Sequence, residues 1–111
     1  MTVALLILTV GFSFTASANP AEEPTLGERA ALIAESVAEL RGIDSASAII
    51  IDKTVIVGIT TTHGARGKEL SLLKKEVEAD VLETDAAVRR VAVTSAPDLV
   101  LRIKNMQEKY Y

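Results

Sequence analysis

The stretch SASAIIIDKTVIVGIT at residues 45–60 sets the tightest limit on what this chain can fold into. Val and Ile dominate it, and β-branched side chains favour the pleated strand. The polar pair Asp52-Lys53 divides it, so the segment reads as two strands joined by a turn. Asp-Lys is not the Asn-Gly or Asp-Gly that a tight primed turn prefers, which leaves the turn open by a residue. Alternate strand side chains face opposite sides. Ala46, Ala48 and Ile50 therefore share one face of the first strand, and Ser47, Ile49 and Ile51 the other. In the second strand Val55, Val57 and Ile59 lie opposite Ile56, Gly58 and Thr60. Such runs are apolar on both sides, and the second face also needs cover, from this chain or from a partner. Gly58 marks a bulge or a close approach of another backbone.

Helices supply the obvious cover. Thr25-Leu26-Gly27-Glu28 fits a capping box, in which Thr25 accepts from the third helical amide and Glu28 reaches back. Leu26, Ala30, Ile33, Val37 and Leu40 then recur at helical spacing, and Gly42 suits the left-handed position that ends a helix. A second helix spans about Lys68 to Leu82, with Leu70, Leu73, Val77 and Val81 as its buried stripe. Its Lys74, Lys75, Glu76, Glu78 and Asp80 read as a solvated face. Thr84-Asp85 breaks it, and Val88 to Thr94 forms a third strand. Ser95 is placed to cap a last helix, with Pro97 in its first turn and Leu99, Ile103 and Met106 as its apolar side.

The order is α-β-β-α-β-α, which predicts a small α+β domain: a three-stranded mixed sheet packed by helices. Helices on one face of that sheet are the economical arrangement. A right-handed crossover through the second helix makes the second and third strands parallel, with strand order left open. One domain is the most that 111 residues allow.

Hydrophobic residues make up 49% of the chain, and much of the excess lies between Val3 and Ala18. The apolar run Val3 to Phe14 is shorter than the roughly 20 residues a spanning helix needs. It leads into Thr15-Ala16-Ser17-Ala18, where Ala16 and Ala18 occupy the −3 and −1 positions of a cleavage site and Asn19 becomes the first mature residue. We therefore expect an export signal over 1–18, a polar tether over 19–24 and a single folded domain over 25–111. An uncleaved membrane anchor is the alternative. No Lys or Arg precedes the apolar run, so either the true start lies upstream or the signal is atypical.

Composition removes several function classes. Net charge is −3, basic residues are scattered and aromatics are 4%, which argues against nucleic acid as a partner. No cysteine is present, which excludes disulfides, thiolate metal sites and a cysteine nucleophile. His63, the only histidine, has no neighbouring ligand in TTTHGARG and reads as a solvated loop residue. Gly64-Ala65-Arg66-Gly67-Lys68 lacks the spacing and the terminal hydroxyl of a phosphate loop. Thr60, Thr61, Thr62, Ser45 and Ser47 have no base partner for nucleophilic catalysis. Arg89-Arg90 is expected to make a surface salt link. No catalytic, cofactor or metal residues are assigned, and an enzyme is not expected.

Two segments carry a family resemblance. ERAALIAESVAELRGIDSASAIIIDKTVIVGI at 28–59 and VRRVAVTSAPDLVLRI at 88–103 resemble the sporulation lipoproteins of the YhcN/YlaJ type. Ala30, Ile33, Ala34, Val37, Leu40, Gly42, Ala46, Val57 and Gly58 fall in the family's first pattern. Val88, Val91, Val93, Thr94, Pro97, Leu99, Arg102 and Ile103 fall in its second, whose TSAPDLVLRI end is the more distinctive part. The resemblance implies an exported, non-catalytic protein of the cell envelope or forespore membrane surface, with an unknown protein or membrane partner there. It implies no cofactor. The chain departs from the pattern in lacking the cysteine at which lipoproteins are lipidated. It is then a secreted or signal-anchored relative, or its start is altered. The alternative function is a ring-building or BON-like assembly module of αββαβ type that self-associates. The second face of the hairpin, with Ile49, Ile51 and Ile56, is the candidate interaction surface, and we expect the last helix or a partner to cover much of it.

Overall fold

The computed structural model describes residues 24–110, apart from the side chain of Tyr110. The expected export signal, the cleavage site at Ala16, Ala18 and Asn19, and all of the tether but Pro24 lie outside the described residues.

Helix α1 spans Leu26–Ala38. Its capping box is complete: the Glu28 amide donates to Thr25 Oγ1 at 3.0 Å, and the Thr25 amide to Glu28 Oε1 at 2.8 Å. Ala30, Ile33, Ala34 and Val37 form its buried stripe. Leu26, expected at the head of that stripe, is exposed, so packing begins a turn later. The helix also ends earlier than expected. The Leu40 amide bonds back to the Val37 carbonyl, and the Ile43 amide then closes on the Leu40 carbonyl at 3.1 Å. Gly42 is the third residue of that four-residue turn, at φ 92°, where a positive φ is required. Its conformation serves the entry into the sheet rather than the helix end.

Strands β1 (Ile43–Ile51) and β2 (Thr54–Thr61) form the expected antiparallel hairpin. Ile51 pairs with Thr54, closing a two-residue turn in which Asp52 takes φ 58°, a region Asp tolerates. The bulge lies not at Gly58 but at the far end. There Ile43 pairs with Thr61 and Ser45 with Thr60, so Asp44 is the extra residue.

Helix α2 spans Gly67–Thr84 and buries Leu73, Val77 and Val81. Asp85 then turns extended, and Val88 is buried ahead of β3 (Arg90–Thr94). β3 starts later than expected because the Arg89 and Arg90 amides both bond to the Lys53 carbonyl, where pairing begins. It runs parallel to β2, giving the order β1-β2-β3.

One face of the sheet holds the main core. Ala48, Ile50, Val55, Val57 and Ile59 pack there with the stripes of α1 and α2. At about 1.5–3 kcal/mol per fully buried large aliphatic side chain, this cluster is the chief favourable term of the fold. Three polar links tie the two helices along their length. Arg29 Nε donates to Asp85 Oδ2 at 2.7 Å, Ser36 Oγ to Asp80 Oδ2 at 2.7 Å and Thr84 Oγ1 to Ser36 Oγ at 3.3 Å.

Helix α3, Pro97–Tyr110, takes the opposite face. The helices thus lie on both sides of the sheet rather than on one, because both faces of the hairpin are apolar and α1 with α2 fills only the first. Pro97 is the first helical residue, and the Val100 amide donates to the Ala96 carbonyl at 2.8 Å. Ala96 therefore holds the cap position that Ser95 was expected to fill. Thr94 Oγ1 steadies the approach by accepting from the Ala96 amide.

Candidate functional site

Alternation places three rows of side chains on the face beneath α3. Ser47, Gly58 and Thr94 form one, Ile49, Ile56 and Ala92 the next, and Ile51, Thr54 and Arg90 the outermost. Helix α3 crosses the first row. A Cβ on Gly58 would lie 3.1 Å from Val100 Cα and 3.3 Å from Ile103 Cδ1, so the glycine forms the notch that lets the helix backbone sit close. Farther along α3, Gln107 Oε1 accepts from the Ala48 amide at 2.7 Å on the outer edge of β1. The helix is thereby fixed at its middle and near its end.

The rows toward the hairpin turn are only partly covered. There the sheet and α3 enclose an open groove of about 390 Å³. Ile49, Ile51, Ile56 and Ala92 form its floor, with Leu99, Arg102, Ile103 and Met106 along the helix side. Ile49 is 4% exposed and Ile56 half-buried, so α3 does cover much of the second face. Ile51 remains 54% exposed, Leu99 43% and Met106 39%. The groove is thus where all three residues of the expected interaction surface meet. Its charge is of one sign. Arg102 lies along the wall, Arg90 ends the outermost row, and among the described residues no acidic side chain lines it. Among the described residues neither arginine makes an ion pair, and Arg89 does not make the surface link expected of it.

The assignment of α3 residues changes with the structure. Of the expected apolar side, Ile103 is buried and, like Val100 and Gln107, makes inward contacts, while Leu99 and Met106 flank the groove. A helix crossing over a glycine packs by the residues facing that notch, and Gly58 was the one sequence signal that pointed there.

The other sequence candidates lie elsewhere. His63 is exposed in the loop before α2, beside a hollow of about 420 Å³ lined also by Arg41, Glu69, Leu72 and Glu76. Among the described residues no group of three His, Asp or Glu side chains is placed to hold a metal ion. Ser45 and Thr60 hydrogen-bond to each other across the hairpin, which occupies their hydroxyls structurally. Among the described residues, Asp85 is the carboxyl held below its ordinary range, first by the Arg29 hydrogen bond and then by the Ala87 amide, against the opposing effect of burial. Arg29 is raised in turn by the same hydrogen bond. That pair lies across the sheet from the groove and belongs to the helix layer.

The groove is suited to taking up apolar side chains, and it stands on a mixed α+β scaffold of αββαβα order. A family model described as sporulation lipoprotein YhcN/YlaJ matches residues 13–110, and the chain belongs to that family. A comparison with curated proteins finds no match. Among solved structures, one described as "Crystal structure of IdnL1" is similar at 27% identity, over 60% of this chain and 13% of that one. Its TM-score is 0.40, a superposition too loose to carry an argument.

Proposed function

We propose that the chain is an exported, non-catalytic envelope protein that acts in spore formation or germination by docking a partner in the groove. The observation that carries the reading is Ile51, half-exposed beside the buried Ile49 in a groove that no acidic side chain among the described residues lines. Covering the exposed half of one such side chain gains about 1 kcal/mol, and Leu99 and Met106 lie close enough to be covered with it. Membership of the sporulation lipoprotein family supports an envelope setting. Among the described residues no helix is long and apolar enough to cross a membrane. In this reading the signal is cleaved after Ala18, and N-terminal sequencing of the exported protein should begin at Asn19.

The test replaces Ile51 by Glu at the native locus. Position 51 is exposed, so the variant should fold and accumulate normally, yet spores should form or germinate less efficiently. Normal spores from cells with normal levels of the variant would remove the groove from the function. Uniform expression in vegetative cells would count against a sporulation role.

A further inference from the structure

We infer that the occupant of the groove is helix α1 of a second copy of this chain, a proposal that rests on the docking role given to the groove above. On α1 the buried residues Ala30, Ile33, Ala34 and Val37 fix which side points inward. The stripe diametrically opposite is Glu28, Leu32 and Glu35, continued by Glu39 at the helix C-cap, all exposed. Leu32, 54% exposed, is the one large apolar side chain in that stripe. It has carboxylates at four residues before and three after it. Glu28 and Glu35 stand about 10 Å apart along the axis. Glu35 and Glu39 have no cationic partner among the described residues.

The groove is the complement of this stripe. It offers an apolar hollow where the stripe offers a projecting leucine, and unpaired Arg102 on its wall, with Arg90 at the end of the adjoining row, where the stripe offers carboxylates. Like charge would oppose a face-to-face pairing of two grooves, while opposite charge favours groove against α1. The two surfaces also lie on opposite sides of the sheet. One copy can therefore be both donor and acceptor, and the contact is head-to-tail. Such an interface closes into a ring or extends as a filament, according to the rotation between copies.

The chain has no cysteine, so introduced cysteines report on this contact alone. The full chain is produced in its sporulating host with Leu32→Cys combined in turn with Ile51→Cys and with Met106→Cys, and then oxidised. A ladder of dimers, trimers and longer species is expected from at least one of the two double variants. Single variants should give no crosslink, and two singles expressed together should stop at the dimer. Arg102→Glu should cut the ladder about tenfold, and adding Glu35→Arg should restore it. Absence of a ladder from both double variants overturns the inference, as does Ile51→Cys crosslinking to itself, which would indicate a two-fold contact. Indifference to Arg102→Glu overturns it equally. If the ladder is absent while Ile51→Glu impairs the spores, the groove retains a docking role for another partner. If both results are negative, the two readings fall together.

Discussion

Gly58→Ala tests the packing that shapes the groove. The backbone at Gly58 is not in the left-handed region, so alanine meets no torsional obstacle there. By shrinking the unfolded ensemble it would stabilise the fold by about 0.4–1 kcal/mol. Against this stands the added methyl, 3.1 Å from Val100 Cα, 3.3 Å from Ile103 Cδ1 and 3.4 Å from Val100 Cγ2. A side-chain methyl can rotate away, but Cα can yield only if α3 itself moves. Forced overpacking of this kind costs about 1–3 kcal/mol. We therefore expect a net loss of about 1–2 kcal/mol. In a domain of this size that lowers Tm by about 5–15 °C. Far-UV circular dichroism should show it in heat, and in urea as a lower midpoint at unchanged slope. Adding Val100→Ala should recover little, since it removes the 3.4 Å neighbour and leaves the 3.1 Å one. A Tm at or above wild type would refute the close approach of α3 to β2.

Other expectations follow from single contacts. The Arg29 hydrogen bond holds Asp85 below its ordinary range, so its share of stability is complete above that range and lost as pH falls through the folded-state value. Asp85→Asn should cost about 1 kcal/mol at neutral pH and flatten the loss of stability below about pH 4, as read by urea midpoints across pH. Arg29, raised by the same contact, contributes throughout that range and would lose its share only in strong alkali. Thr25→Ala breaks the capping box and should lower stability by about 1 kcal/mol, with early fraying of α1 visible in hydrogen exchange. Gly42→Ala must adopt φ 92° and should destabilise by about 1 kcal/mol or more, although its Cβ would find only ordinary contact with Leu73. A stability loss too small to measure there would contradict the turn geometry.

Features written within a few residues were readable from the sequence. The capping box of Thr25 and Glu28 spans three positions, and the hairpin announces itself by Val and Ile on either side of Asp52-Lys53. The stripes of α1 and α2 repeat at helical spacing. What could not be read depends on distant partners. Arg29 meets Asp85 and Gln107 meets Ala48 across separations of 56 and 59 residues, and no local pattern distinguishes either from an ordinary surface residue. The side taken by α3 was undetermined for the same reason: an apolar stripe does not record which of two apolar faces it will meet. Gly58 held the clue in ambiguous form, since a bulge and a close approach leave the same mark. Alternation put Ile49 and Ile51 on one face, but it took the hairpin register to join Ile56 to them, and their unequal exposure follows from where α3 crosses.

The Gln107 contact makes the Ala48 amide a gauge of one helix. Amides inside a hairpin exchange with solvent when their own ladder opens, and so report on the sheet. Ala48 points outward from an edge strand, and its acceptor is a side chain near the far end of α3. Its exchange therefore follows the opening of that side-chain contact, whether or not β1 and β2 stay paired. Compared with its inward-bonded neighbours, this single proton sets a lower bound on the free energy with which the last helix holds to the sheet, and hence an upper bound on how often the groove loses its wall.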